Sequence, residues 1–111
     1  MNYDSFESMG ELYDYITAFS EVIRVGVYDS RLARSFSAAL TNAGINLSEK
    51  NLKTIYSSCR RKYIKLMRGE DVNLDTEKDS GFLEFFLLSY LTLIDTFFVE
   101  NQVKNFKHLD F

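Results

Sequence analysis

From Phe82 to Val99 the chain places apolar residues at thirteen of eighteen positions, and no proline interrupts this stretch or any other. Its polar exceptions, Glu84, Ser89, Thr92, Asp95 and Thr96, share one sector somewhat under half of a helical circumference. A half-buried strand would alternate at every second residue, which this stretch does not. A membrane span needs about 20 apolar residues and resists carboxylates such as Glu84 and Asp95 within it. The segment therefore predicts a long apolar helix at the centre of a helical bundle. Its apolar arc is too wide for one neighbour, so it either fills the middle or shares a face with a second copy.

The rest of the chain supplies the neighbours. Phe6, Met9, Tyr13, Ile16 and Ile23 recur at helical spacing behind a candidate cap at Asp4 or Ser5, predicting a helix over about 5–24. Val25-Gly26-Val27-Tyr28 ends it. Asp29 or Ser30 opens a second helix over about 30–43, with Leu32, Phe36, Ala39 and Leu40 inward and Gly44 as its stop. Ser48 caps a third over about 49–68, closed by Gly69. The polar run Glu70 to Ser80 reads as a loop, and the apolar helix follows over about 81–103. A chain of 111 residues without an internal repeat or linker is one domain. The expected class is all-α: a single-domain four-helix bundle with a central apolar C-terminal helix.

Charge is strongly segregated along the chain. Residues 1–23 hold five acids and no base, residues 24–68 ten bases against two acids, and residues 69–111 three bases against nine acids. Such contrast orients the molecule toward a polyanion on one side and repels it on the others. The single Cys59 falls on an apolar arc and reads as a small hydrophobe suited to a reducing interior. The acidic N-terminus lacks the pattern of a secretory leader, so the cytoplasm is the expected location.

Seven of the thirteen basic residues lie between Lys50 and Arg68. At 100° per residue, Leu52, Ile55, Tyr56, Cys59, Tyr63, Leu66 and Met67 gather on one side, and Lys50, Ser57, Arg61 and Arg68 point the opposite way, flanked by Lys53, Thr54 and Lys65. A short alanine-bearing helix, the turn Asn42-Ala43-Gly44-Ile45, a capping serine and this basic helix together resemble a helix-turn-helix DNA-binding unit over residues 36–65. The apolar residues Leu52 and Ile55 arrive two positions later than in the compact bacterial form, so the turn is longer. The resemblance rests on general features and names no specific family. It implies that Lys50, Asn51, Lys53, Thr54 and Ser57 approach DNA while Arg60, Arg61, Lys65 and Arg68 neutralise phosphates.

Other chemistry is poorly served. Asp71-Val72-Asn73-Leu74-Asp75 reproduces the opening of a calcium loop. Thr76 stands where that loop needs glycine and Phe82 where it needs glutamate, so no metal or cofactor is expected. His108 is the sole histidine, and no cysteine pair, nucleophile–base arrangement or glycine-rich phosphate loop accompanies it, so the chain is not expected to be an enzyme. Phe82, Phe85, Phe86, Tyr90, Leu93, Phe97 and Phe98 are expected in the core or in a homodimer seam. The leading functional expectation is a small DNA-binding regulatory or architectural protein acting on double-stranded DNA, without membrane association. The alternative is a non-enzymatic protein-interaction module, such as an inhibitor, immunity or adaptor protein, docking on a protein partner through its segregated charge.

Overall fold

The computed structural model describes residues 3–95 and is all-α. Four helices follow in order: α1 Tyr3–Val25, α2 Ser30–Asn42, α3 Glu49–Met67 and α4 Asp79–Ile94. They pack as one four-helix domain. The first three helices begin and end within a residue or two of the expected positions, and local chemistry sets the starts of α2 and α3. Asp29 Oδ1 accepts from the amides of Arg31 and Leu32 at 3.0 and 3.1 Å and opens α2. Ser48 and Asn51 form a reciprocal capping box at the start of α3. The fourth helix differs at its C-terminal end. α4 stops at Ile94, where Asp95 turns extended, rather than running on to 103. The remainder of that expectation, 96–103, lies outside the described residues, as do Phe97, Phe98 and His108.

Phe19 and Ile23 of α1, Phe36 and Leu40 of α2, Leu52, Ile55, Cys59 and Tyr63 of α3, and Leu83, Leu87, Leu88 and Leu91 of α4 form one buried cluster. Phe36 sits between Tyr15, stacked at 5.7 Å, and Phe19 at 5.4 Å, so α2 is held to α1 largely by rings. Ser37 Oγ donates to the Leu47 carbonyl at 2.6 Å and fastens the turn back onto α2.

α1 and α3 each meet all three other helices, whereas α4, the expected centre, packs on those two. α4 is also turned so that its largest rings face outward. Phe82, Phe85 and Phe86 are each nearly half exposed and Leu93 is 78% exposed. Of the residues expected in a core or a dimer seam, those four lie outside the core and Tyr90 is half-buried. The core positions of α4 are instead Leu83, Leu87, Leu88, Leu91 and, among them, the carboxylate of Glu84.

The reason lies partly in the loop before α4. A Cβ on Gly81 would stand 2.0 Å from the Asp75 carbonyl oxygen, so only glycine lets the loop close over the first turn of α4. That contact, and the partners α3 offers to Glu84, fix how α4 is rotated.

Candidate nucleic-acid interface

The outward side of α3 is a cationic stripe. Lys50, Lys53, Arg61, Lys65 and Arg68 are all exposed, and among the described residues none of them forms an ion pair. At 1.5 Å per residue the stripe is about 27 Å long. The ion pairs present lie elsewhere: Arg24 with Glu21, Arg34 with Glu49, Lys62 with Glu84 and Lys78 with Asp75. Glu49, the one carboxylate on α3, turns to Arg34 at 3.6 Å and leaves the row unpaired. Its two polar members differ: Ser57 is exposed, while the Thr54 hydroxyl donates back to the Lys50 carbonyl at 3.3 Å. Lys53 Nζ lies 5.9 Å from the ring centre of Tyr28, close enough for a weak cation–π attraction that steers it without covering it.

Two residues expected on this surface are engaged within the fold. Asn51 spends its side-chain carbonyl on the Ser48 amide at 2.9 Å, as half of the capping box. Arg60 turns the other way. Its Nη1 donates to the carbonyls of Ile23 and Arg24 at 2.7 and 2.8 Å, satisfying the C-terminal end of α1. Gly26, at φ 85°, makes room for this: a Cβ there would lie 2.9 to 3.1 Å from the Arg60 guanidinium. Arg60 is thus an internal cap for another helix, not a phosphate contact. Replacing it with Met should cost about 2 kcal/mol, since two charge-assisted hydrogen bonds and their acceptors are lost together. Thermal melting is the check; a variant with unchanged melting would contradict the assignment.

Beneath the stripe, α3 carries a polar cluster that sequence periodicity did not reveal. Glu84, nearly fully buried, accepts from Lys62 Nζ at 3.0 Å, and the Cys59 thiol donates to its other oxygen at 3.8 Å. Lys62 belongs to the basic run, but its side chain points toward α4 instead of joining the stripe. The only available signal was Glu84 itself, which falls on the same arc as Leu87, Leu88 and Leu91. Close by, the Tyr63 hydroxyl donates to Asp95, and burial together with this carboxylate pushes the phenol well above its ordinary range.

Burial, and then the Glu84 charge, push the Cys59 thiol far above the usual cysteine range. Since the thiolate is the reactive form, Cys59 is inert in the folded protein. Iodoacetamide at pH 8 should leave it unmodified over hours in the native state and label it readily in guanidinium chloride, as mass spectrometry would show. Among the described residues no group of histidine, cysteine and acidic side chains could hold a metal. In the acidic loop, Asp75 serves the turn, accepting from the Glu77 amide at 3.3 Å and lying 3.7 Å from Lys78 Nζ. No described helix is long and apolar enough to cross a membrane.

Compared with known families, curated proteins and solved structures, the chain matches none.

Proposed function

We propose that the protein is a small DNA-binding regulatory or architectural protein that holds duplex DNA through the outward side of α3. The observation that carries this reading is the row Lys50, Lys53, Arg61, Lys65 and Arg68, left without carboxylate partners among the described residues. Duplex DNA presents one negative charge per about 1.7 Å of axis, so a straight cationic row meets several phosphates at once. Each of the five neutralises a phosphate, and Lys50 and Lys53, near the amino end of α3, do so at the groove edge, within reach of base edges. The exposed acids Glu11 and Asp14 of α1 and Glu70, Asp71 and Glu77 of the loop are repelled by the same polyanion and fix which side approaches.

Charge reversal tests this. Lys53→Glu and Arg61→Glu should each weaken duplex binding about tenfold or more at low salt, because each removes one phosphate contact and adds a repulsion. Melting should hardly change, since both side chains are exposed. Arg60→Met, with its opposite signature of lost stability, is the control.

A second reading draws on those same exposed acids. As a protein-interaction module, the chain would offer its acidic surface to a basic protein and would show no affinity for duplex DNA at any salt concentration.

A further inference from the structure

The outward side of α4 has no counterpart within the described fold. Phe82, Phe86, Ser89 and Leu93 follow one another at spacings of four, three and four residues, the seam of a two-stranded helical pair. They form a ridge with a groove on each side. One groove, about 450 Å³, runs between α4 and α1 past Tyr13; the other, about 210 Å³, lies between α4 and the loop at Val72 and Leu74. Ser89 lines both, so it is a notch in the ridge. No charged side chain stands on the ridge between Phe82 and Leu93, because Glu84 turns inward.

We infer that this ridge pairs with its own copy, α4 against α4 in antiparallel orientation, about a two-fold axis between Leu87 and Leu88. That register sets Phe86 opposite the partner's Ser89 and Phe82 opposite the partner's Leu93. Each large ring then meets a small or aliphatic residue, and the same match recurs on the other side of the axis. A two-fold interface must be self-complementary in this way. Other partners would have to reproduce that alternation; a second copy supplies it by symmetry. The area agrees. Half-exposed rings at Phe82, Phe85 and Phe86, with Met9, Tyr13 and Leu93, add up to roughly 600 Å² per copy, near the lower end of a standard interface and at the top of what monomers leave in one patch. This seam does not rest on the DNA reading and stands or falls without it.

Sedimentation of the full chain at about 10 to 100 µM should show a dimer, and Ser89→Arg, which fills the notch with a charge, should give a folded monomer with unchanged helical circular dichroism. The register is tested with Phe82→Cys and Leu93→Cys chains under mild oxidation, Cys59 being buried and unreactive. Antiparallel pairing predicts a disulfide-linked dimer when the two variants are mixed. Neither should cross-link alone, since identical positions then lie about 16 Å apart along the axis. A wild-type monomer at 100 µM, or efficient cross-linking of either variant by itself, overturns the inference.

Discussion

Lys62→Met should cost about 3 kcal/mol of stability, the largest loss expected from a single change near the surface of this protein. Lys62 Nζ lies 3.0 Å from Glu84, whose side chain is only 8% exposed, and it is the only cation paired with that carboxylate among the described residues. Removing the ammonium leaves a buried charge with the weak Cys59 thiol as its remaining donor. Stranding one member of a buried pair typically costs about 3 to 5 kcal/mol, and the 24% exposure of Lys62 argues for the lower end. The double change Lys62→Met with Glu84→Leu should recover most of the loss, because two apolar side chains of similar volume bury without desolvating an ion. Denaturant melts of the single and double variants give the answer. A single variant as stable as the native chain would mean that the pair does not hold α3 to α4.

The pair also explains how far the sequence could be read. The starts of α2 and α3 were legible because Asp29, Ser48 and Asn51 act within three residues of themselves. The inward side of α3 was legible too: Leu52, Ile55, Cys59 and Tyr63 are buried as their spacing requires. What spacing cannot give is the destination of a long polar side chain. Arg60 reaches a helix end 36 and 37 residues earlier in the chain, and Lys62 reaches a carboxylate 22 residues later. Counting charges along α3 therefore placed Arg60 with its neighbours on the outer surface, where it does not belong. α4 shows the same limit. Its helical period was plain, but its rotation depends on what faces it. Lys62, Cys59 and Tyr63 give Glu84 and Asp95 partners on the α3 side, and the outward side is left to Phe82, Phe85, Phe86 and Leu93. With a partner for its carboxylate, α4 takes Glu84 in among its leucines and leaves its rings outward, a rotation no hydrophobicity pattern predicts.

The division of labour on α3 follows directly. Inward residues build the core, Arg60 and Lys62 tie α3 to α1 and α4, and the outer row remains for an anion. Because Arg60 is anchored and Asn51 is part of a cap, the proposed contact is carried by five cations, not by the full count of bases in this stretch. That count has a thermodynamic signature. Each phosphate neutralised on duplex DNA contributes about 0.9 to the slope of log affinity against log salt.

The most direct test is the salt dependence of binding to duplex DNA by the wild-type chain. Between about 50 and 200 mM salt, five contacts predict a slope near −4.5 and a loss of roughly 500-fold in affinity. A slope shallower than about −1, or no binding at the lower salt concentration, would contradict the role given to α3.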